Sequence, residues 1–420
     1  MTFTSLGLSA SILKGVDAVG YTTPTEIQSK AIPRIMEGGD IIGCSKTGSG
    51  KTAAFVLPIL HRLMENHQDR APRYVRALIL TPTRELALQV EEAVRTYGAH
   101  TRLRSVTLFG GVDIGKQLQK LRHSVDIVVA TPGRLLDIMQ RRSIDLSHVE
   151  ALVLDEADRM FDMGFIQEVK RIISHVPTTR QTLLFSATMS TEVEQLTRSI
   201  QKHPKRIDVG ERHNPVETVA HRIFPIHHEL KLDLLFHILE QEEMESVLIF
   251  SRTKHGADKI VKKLERKGVR AVAFHSDRSQ NQRQRALSGF KQGQFKVLVA
   301  TDIAARGIDV DGISHVINYD TPTYAEDYIH RIGRTGRAGA SGDAFTFVSS
   351  NEEQHLRKIE KFIGKRFEKS RYPGFDYKQA ASAEPVKTFA KKKIFKRGDR
   401  SVPFERPERN SSRRESRARY

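Results

Sequence analysis

Two short segments carry residue types and spacings that could hydrolyse a nucleoside triphosphate. Residues 47–52 read Thr-Gly-Ser-Gly-Lys-Thr and precede an apolar, helix-like stretch, whereas residues 155–158 read Asp-Glu-Ala-Asp and end the apolar run 151–154. The backbone N–H groups of a glycine-rich turn at a helix start can hold phosphates, and carboxylates can hold the accompanying Mg²⁺. Together the two segments predict a site for nucleoside-triphosphate hydrolysis.

The side chains of these segments divide the chemistry among them. Lys51 and the backbone of the turn would hold the phosphates, Thr52 and Asp155 would hold Mg²⁺, and Glu156 would act as the general base on the attacking water. Taken singly, a glycine-rich turn and a charged cap after a strand are also ordinary structural features. Their occurrence together favours the hydrolysis site.

Composition limits what this site can be attached to. A chain of 420 residues suggests two or three domains. No apolar run approaches the length of a membrane span, so we expect a soluble, cytoplasmic protein without a membrane partner. The only cysteine, Cys44, cannot form an internal disulfide, which agrees with a reducing compartment. The 17 histidines show no ligand spacing that predicts a metal other than Mg²⁺.

The formal charge of +18 indicates a polyanionic partner, and nucleic acid is the commonest one. Half of this charge lies in residues 371–420, which contain 15 Lys and Arg against 6 Asp and Glu. Few aliphatic residues and four prolines accompany the charge there, so the segment predicts a disordered basic tail.

The tail also carries interleaved aromatic residues, which suit RNA by stacking combined with phosphate contact. They are Tyr372, Phe375, Tyr377, Phe389, Phe395, Phe404 and Tyr420. The alternative is a solubilising tail that has no specific partner.

Strands and helices must position the site, and short apolar runs alternate with longer helical patterns in two successive rounds. The strand-like runs of the first round are Ile41–Gly43, Ala77–Leu80, Ile127–Ala130, Leu152–Leu154 and Thr182–Phe185. Those of the second round are Val247–Phe250, Ala271–Phe274, Val297–Ala300, Val316–Asn318 and Ala344–Val348. Each round predicts a doubly wound α/β domain with helices on both faces of a parallel sheet.

The polar segment between the two rounds contains Gly and Pro and predicts the linker. We therefore expect a nucleotide-binding domain at 1–208, a linker at 209–218, a second domain at 219–367 and the basic tail at 368–420.

In such sheets ligands bind at the carboxyl ends of the strands, and polar, glycine-rich segments follow the strand-like runs. In the first round they are residues 82–87, 110–111, 131–134 and 186–188, and in the second round 251–253, 301–309 and 330–337. The two sets predict one shared ligand-binding edge.

The order and spacing of these segments resemble the DEAD-box family of ATP-dependent RNA helicases over about residues 3–350, and bacterial members of it most of all. The resemblance implies two tandem RecA-like domains, with ATP and Mg²⁺ as cofactors. Residues 20–28 are similar to the family's adenine-reading Q motif, in which Tyr21 and Phe3 offer aromatic faces and Gln28 offers an amide that matches adenine. Ordinary core packing is the alternative for the two aromatic residues.

The resemblance implies further ATP-binding residues in both domains. They are Ser45, Lys46, Thr47, Gly48, Ser49, Gly50, Lys51, Thr52, Asp309, Arg334 and Arg337. Arg334 and Arg337 lie three residues apart, so on a helix they would present adjacent guanidinium groups to the γ-phosphoryl group. Because these arginines belong to the second domain, we expect hydrolysis to require domain closure.

The resemblance also implies an RNA path and a set of coupling residues. The RNA-binding residues would be Arg84, Gly110, Gly111, Thr131, Arg134, Arg252 and Thr301, whose types suit sequence-independent contact with the sugar-phosphate backbone. The coupling residues would be Asp158, Ser186, Thr188, Gln280, Arg283, His330 and Arg331, and the hydroxyls of Ser186 and Thr188 are expected to bond to Asp158.

Three positions depart from the usual pattern of the family. Ser45 stands where Ala is usual, Ser276 stands where Gly is usual, and Arg252 stands where other residues are common. None of them is Lys51, Glu156 or one of the paired arginines.

The resulting hypothesis is an RNA-stimulated ATPase that separates short RNA duplexes or remodels RNA–protein complexes, in the setting of ribosome biogenesis or RNA degradation. Its partners would be single-stranded and duplex RNA, together with ribosome-assembly or RNA-decay proteins. The alternatives are an ATP-gated RNA clamp that nucleates an assembly and a helicase directed to DNA.

Overall fold

The computed structural model describes residues 1–45, 48–65, 74–209, 219–305, 313–336 and 342–378, without the side chain of Ile303. The strands of the first domain are β1 (Ile41–Cys44), β2 (Ala77–Leu80), β3 (Ser105–Leu108), β4 (Ile127–Ala130), β5 (Ala151–Asp155), β6 (Gln181–Ser186) and β7 (Lys205–Asp208). Those of the second domain are β8 (Val219–Pro225), β9 (Val247–Phe250), β10 (Ala271–Phe274), β11 (Val297–Ala300), β12 (His315–Asn318) and β13 (Gly342–Val348).

Helices connect the strands. The first domain contains α1 (Ala10–Ala18), α2 (Glu26–Met36), α3 (Lys51–Glu65), α4 (Arg84–Tyr97), α5 (Ile114–Leu121), α6 (Pro132–Gln140), α7 (Ala157–Asp162), α8 (Ile166–Ile173) and α9 (Thr191–Ile200). The second contains α10 (Lys231–Gln241), α11 (Lys254–Arg266), α12 (Gln280–Lys291), α13 (Asp302–Ala305), α14 (Ala325–Ile332) and α15 (Glu353–Ile363), and short 3₁₀ turns lie at Phe3–Leu6, His228–Leu230 and Ser350–Glu352. No helix in the described residues combines the length and apolar character needed to cross a membrane.

Every strand pair in the two sheets is parallel. The first sheet has the order β3-β4-β2-β5-β6-β1-β7 and the second has the order β10-β11-β9-β12-β13-β8. Both have the doubly wound arrangement that the sequence predicted. Because all strands of a sheet point the same way, the segments that follow them meet at one edge.

Burial on both faces explains why the strands read as continuous apolar runs. In β2, β4, β9 and β11 every residue is buried. Helices α1–α4 cover one face of the first sheet and α6–α9 cover the other, with separate apolar clusters on the two sides.

Hydroxyl groups cap helices that begin at the ligand-binding edge. At the start of α4 Thr83 accepts a hydrogen bond from the Leu86 N–H, and at the start of α11 Thr253 accepts one from the Gly256 N–H.

Among the described residues the sequence analysis missed three strands, and all three lie at sheet edges. They are β3, β7 and β8, in which partly or fully accessible residues interrupt the apolar positions. An edge strand has one open side, so its sequence tolerates polar residues such as Lys205 and His221.

The first residues of the expected basic tail, 368–378, pack against the second domain. The Ser370 N–H donates to the Ile223 carbonyl oxygen, and the Tyr372 hydroxyl donates to Glu242 across 3.0 Å. Tyr372 is buried, and Phe375 and Tyr377 pack on the same apolar cluster. Aromatic side chains that suit RNA stacking suit core packing equally well, and here three of them complete the domain core. Residues 379–420 lie outside the described residues.

We predict that cutting the chain after Arg371 destabilises the second domain, whereas cutting it after Lys378 does not. The shorter chain loses the buried ring of Tyr372, which we expect to cost about 3 kcal/mol of unfolding free energy. Urea unfolding followed by circular dichroism checks this, because the chain has no tryptophan to report unfolding by fluorescence. Equal unfolding midpoints for the two truncated chains would contradict the packing role of residues 372–378.

Candidate active site

The phosphate turn follows β1 and ends at the first residue of α3. Gly48 and Gly50 have φ angles of 81° and 90°, a region that glycine enters without strain. Lys51 is buried, and its ammonium group donates to the Ser45 carbonyl oxygen across 2.8 Å. The Ser45 and Ser49 hydroxyls are 2.8 Å apart, so the unusual Ser45 forms a bond within the turn. Lys46 and Thr47 lie outside the described residues, and Thr52 follows Lys51 half-buried.

Gln28 contacts the phosphate turn directly. Its amide nitrogen donates to the Gly50 carbonyl oxygen across 3.2 Å, while its amide oxygen accepts from the Thr25 N–H across 2.9 Å. The Thr25 hydroxyl donates to the Ser49 carbonyl oxygen. A Cβ at Gly50 would lie 2.4 Å from the Gln28 amide nitrogen, so this position requires glycine. Gln28 therefore links the start of α2 to the turn, in addition to the adenine-reading role expected of it.

The aromatic residues of the expected adenine site lie together. The rings of Phe3 and Tyr21 stack with centroids 6.3 Å apart, and the Tyr97 hydroxyl donates to the Tyr21 hydroxyl. Phe3 is buried, whereas Tyr21 is 43% exposed and keeps accessible surface for a ligand ring. Core packing thus accounts for Phe3, and Tyr21 is the residue of the pair that is available to a base.

Asp155 ends β5 as a buried carboxylate whose Oδ1 atom has no hydrogen-bond partner among the described residues. Burial, together with the neighbouring charge of Glu156, raises the pKa of the Asp155 carboxyl to about 7. A buried carboxylate oxygen without a partner among the described residues and the hydroxyl of Thr52, next to Lys51 in the chain, are hard oxygen ligands of the kind that Mg²⁺ prefers. The residues present therefore fit the expected cation.

Glu156 has a left-handed backbone with φ 54° and ψ 52°, which costs a non-glycine residue about 1 kcal/mol. Its side chain is buried and accepts a hydrogen bond from Arg159 across 2.8 Å. The pair has i,i+3 spacing, and both side chains are almost fully buried. Arg159 thus fixes the direction of the carboxylate that was expected to act as the base.

Asp158 connects the acidic segment to the end of β6, as the sequence predicted. Its Oδ2 atom accepts from the Thr188 hydroxyl, the Thr188 N–H and the Ala187 N–H at 2.9–3.2 Å. The Ser186 hydroxyl accepts from the Asp158 N–H and donates to the Thr188 carbonyl oxygen. Although burial raises the pKa of the Asp158 carboxyl, nearby Lys51 and other cationic groups outweigh this and hold the pKa below its ordinary value.

The two domains meet at the buried carboxylate of Glu85, the second residue of α4. It accepts a hydrogen bond from the Gln280 amide and an ion-pair contact from Arg283, each at 3.0 Å. Gln280 and Arg283 both lie on α12 of the second domain, so the expected coupling pair contacts one acid of the first domain. That acid directly follows Arg84, which was expected to bind RNA.

The residues expected to bind RNA in the first domain lie around Arg84. A Cβ at Gly111, whose φ is 81°, would lie within 2 Å of the Arg84 guanidinium, so glycine lets this side chain approach the loop. Gly110 precedes it, and Arg134 donates to the Val112 carbonyl oxygen across 3.1 Å. Thr131 is buried immediately before α6, and burial lowers the pKa of Arg84 with a further contribution from Arg283.

In the second domain Arg331 is fixed by bonds on several sides. It makes two bonds to the Asp302 carboxylate, at 2.6 and 2.7 Å, and donates to Asn318 as well. A cavity is lined by Arg331, His330 and Arg334 from this domain and by Arg159 from the first domain. Arg334 therefore faces the domain that holds the phosphate turn.

Arg334 does not lie on a helix, the setting in which its guanidinium group would be presented beside that of Arg337. Helix α14 ends at Ile332 because Gly333 caps it, and Arg334 lies in the turns that follow. Arg334 is nevertheless buried, and its Nε donates to the His330 carbonyl oxygen. Arg337 and Asp309 lie outside the described residues.

Arg252 and Thr301 follow neighbouring strands, β9 and β11, at the ligand-binding edge of the second sheet. Thr301 is half-buried. The Arg252 side chain is 49% exposed and donates from Nη2 to Glu352 across 2.9 Å. The resemblance implies that the RNA path runs along this edge, and contact of the two residues with RNA stays a prediction.

The sequence analysis assigned no role to three residues that hold this site together. Thr25 holds the phosphate turn, Arg159 holds Glu156, and Glu85 joins the domains. A signal existed for Arg159, because it lies three residues after Glu156 at the start of a short helix. Glu85 had no such signal, since its partner Gln280 is 195 residues away in the chain.

Two family models match the chain, "DEAD/DEAH box helicase" at residues 25–196 and "Helicase conserved C-terminal domain" at residues 230–339. Similar curated proteins include the DEAD-box ATP-dependent RNA helicase CshA of Geobacillus kaustophilus, 41% identical over 375 residues that span 89% of this chain and 79% of that protein. CshA of Listeria monocytogenes is 42% identical over 89% of this chain and 71% of that protein.

The chain belongs to the DEAD-box family of ATP-dependent RNA helicases.

Solved structures of DEAD-box helicases resemble this one over both domains. Dbp5 of S. cerevisiae bound to RNA and ADP BeF3 matches with a TM-score of 0.78 at 32% identity, over 90% of this chain and 97% of that chain. Mss116p bound to ssRNA and AMP-PNP matches with a TM-score of 0.80 at 28% identity, over 91% of this chain and 83% of that chain. The expected RecA-like fold is therefore confirmed.

We predict that Asp155→Asn stabilises the helicase in the absence of nucleotide and Mg²⁺, because it removes a buried charge whose Oδ1 has no partner. The gain should be roughly 1–2 kcal/mol of unfolding free energy, measured by urea denaturation at pH 8. Asp158→Asn is the matched control with the opposite sign, since it removes a negative charge that Lys51 and other nearby cationic groups stabilise and replaces one of two accepting oxygens with an amide donor. Equal destabilisation by both substitutions would contradict this view of Asp155.

Proposed function

We propose that this DEAD-box helicase couples the hydrolysis of ATP to the local, non-processive separation of RNA strands by closing its two domains over both ligands. The contact of Glu85 with Gln280 and Arg283 carries the proposal. It joins the helix that begins with Arg84, on the RNA path, to the domain that supplies Arg334. One carboxylate thus connects the residues assigned to RNA with the opposing domain.

On the ATP side, the backbone of residues 45–50 and Lys51 bind the phosphates, while Tyr21 and Gln28 contact the adenine base. Thr52 and Asp155 would hold Mg²⁺, which would supply positive charge to neutralise the phosphate oxygens. Glu156, oriented by Arg159, accepts the proton of the attacking water. Arg334 and Arg337 stabilise the charge on the transferring phosphoryl group from the second domain.

The Lys51 ammonium group donates to the Ser45 carbonyl oxygen. ATP binding replaces this neutral acceptor with phosphate oxygens, which form stronger bonds with an ammonium group. The contacts of Asp158 with Thr188 and Ser186 then transmit this change at the ATP site to the end of β6. The end of β6 lies beside the edge of the sheet that faces RNA.

On the RNA side, contacts go to the sugar-phosphate backbone and are independent of base sequence. Arg84, Arg134 and Arg252 supply the positive charges, Thr131 and Thr301 supply hydroxyls, and Gly110–Gly111 permits close approach. Closure bends the bound strand so that its partner strand leaves, and hydrolysis followed by phosphate release reopens the domains. We place this activity in the cytoplasm, with ribosome assembly or RNA decay as the setting.

We predict that Glu156→Gln retains ATP and RNA binding but traps the closed RNA complex, because the phosphates are still held and the water loses its base. Dissociation of labelled single-stranded RNA should slow at least tenfold in the presence of ATP, an effect absent in Lys51→Ala, which lacks a phosphate ligand. Equal RNA release with and without ATP in Glu156→Gln would exclude the clamp.

Steady-state ATP hydrolysis tests the choice of nucleic acid. We expect strong stimulation by single-stranded RNA and little by DNA of the same sequence, with Glu156→Gln as the blank. Equal stimulation by the two would favour a DNA-directed helicase. Stable retention of RNA without strand separation would favour a clamp that nucleates an assembly.

Cutting the chain after Lys378 tests the role of the basic tail without disturbing the core. We expect weaker RNA binding and a shallower dependence of affinity on salt, because fewer counterions are released, while the RNA-stimulated turnover number stays within about twofold. A salt dependence identical to that of the longer chain would assign the tail to solubility or to protein partners.

A further inference from the structure

A cluster of four charged residues lies at the ligand-binding edge of the second sheet, and the proposed function gives a role to Arg252 alone. The cluster comprises Lys231, Arg252, Asp320 and Glu352. Lys231 is completely buried, and Glu352 is 3% exposed. A cation and an anion at such depth require close pairing, because an unpaired buried charge is strongly destabilising.

Glu352 is the centre of this cluster. Its Oε2 atom accepts from the Lys231 ammonium at 2.6 Å and from the Ser349 N–H and hydroxyl at 3.0 and 2.6 Å. Its Oε1 atom accepts from Arg252 Nη2 at 2.9 Å and from the Thr321 N–H at 3.2 Å. Although burial raises the pKa of Glu352, Lys231 and Ser349 outweigh this and hold the pKa below its ordinary value. The carboxylate is therefore ionised at neutral pH.

The topology of the sheet brings the cluster together. Arg252 follows β9, Asp320 and Thr321 follow β12, and Glu352 follows β13, which are three adjacent strands. The Arg252 N–H donates to Asp320 Oδ2 across 2.8 Å, so the backbone of this residue is anchored as well. Thr301, also on the proposed RNA path, follows β11 on the other side of β9.

The Arg252 guanidinium is held at one nitrogen only. Nη2 donates to Glu352 and, at 3.5 Å, to the Thr321 carbonyl oxygen, and within the described residues no protein acceptor engages Nε or Nη1. Half of the side chain is exposed. A guanidinium group fixed in this way has donors in place for a phosphate, which saves the entropy of ordering a free arginine.

We propose that Glu352 is a positioning residue for RNA binding: it fixes Arg252 toward an RNA phosphate, while Lys231 neutralises the carboxylate so that it does not repel that phosphate. This inference rests on the proposed role of Arg252 in RNA binding. Glu352 itself does not touch RNA.

A double-mutant cycle with Arg252→Ala and Glu352→Gln tests the proposal, with the RNA concentration that gives half-maximal ATPase stimulation as the readout. We expect Glu352→Gln alone to raise this concentration about tenfold, as the loss of an ordered charged contact would. The KM for ATP and the turnover number at saturating RNA should stay within about twofold. In a protein that already carries Arg252→Ala, Glu352→Gln should leave the half-maximal RNA concentration almost unchanged.

Glu352→Gln leaves Lys231 buried without its partner, so this variant alone could lower RNA binding by destabilising the domain. A second variant separates the two explanations. The paired change Lys231→Met with Glu352→Gln removes both charges together, which folded proteins tolerate better than the loss of one. This double variant should raise the half-maximal RNA concentration as much as Glu352→Gln alone does. Glu242→Gln is the matched control, since Glu242 belongs to the same domain and bonds to Arg222 and Tyr372, away from Arg252.

Two different results would overturn the inference. An equal effect of Glu352→Gln with and without Arg252→Ala would show that Glu352 supports the domain and does not act through Arg252. If Arg252→Ala leaves the half-maximal RNA concentration unchanged, the proposed RNA contact of Arg252 itself fails, and the role of Glu352 fails with it. Arg252→Ala alone distinguishes the two cases, because it leaves the half-maximal RNA concentration unchanged only in the second.

Discussion

The parallel pairing of β6 with β1 on one side and β5 on the other is the constraint on which the rest of the site depends. In this register Cys44 lies opposite Ser186, and Asp155 lies opposite Phe185. The phosphate turn and the acidic segment, separated by about a hundred residues in sequence, therefore begin on either side of one strand end. Ser186 bonds to both, because its carbonyl oxygen accepts from the Ser45 N–H and its hydroxyl accepts from the Asp158 N–H.

Buried charges in both domains have close partners, such as Glu156 with Arg159 in the first domain and Lys231 with Glu352 in the second. Two groups of the first domain differ. Among the described residues the Oδ1 atom of Asp155 has no hydrogen-bond partner, and the Lys51 ammonium donates to the neutral Ser45 carbonyl group. Such groups are stabilised most by the ligand that completes their coordination, so binding energy is available to favour the closed arrangement.

We propose that short contacts at the domain boundary carry the coupling between ATP and RNA. Glu85 directly follows Arg84, which is expected to bind RNA, and it contacts Gln280 and Arg283. Arg159 donates to Glu156 and lines a cavity with Arg331 and Arg334. Each is a charged side chain that is almost fully buried, so its bonds are sensitive to small displacements of the domains.

The sequence by itself determined the two doubly wound sheets and most of their strands, and it predicted the chemistry of residues 47–52 and 155–158. Apolar runs buried on both faces and glycine-rich turns are local signals. The edge strands β3, β7 and β8 gave no continuous apolar run and were missed, and the aromatic residues 372–377 could have served either RNA or a core. Only the tertiary structure decided that they complete the second domain, that Gln28 holds the phosphate turn, and that Glu85 and Glu352 collect partners from distant segments. A contact between residues far apart in the chain leaves no periodic trace in either segment, because each partner is compatible with many surroundings until the fold brings them together.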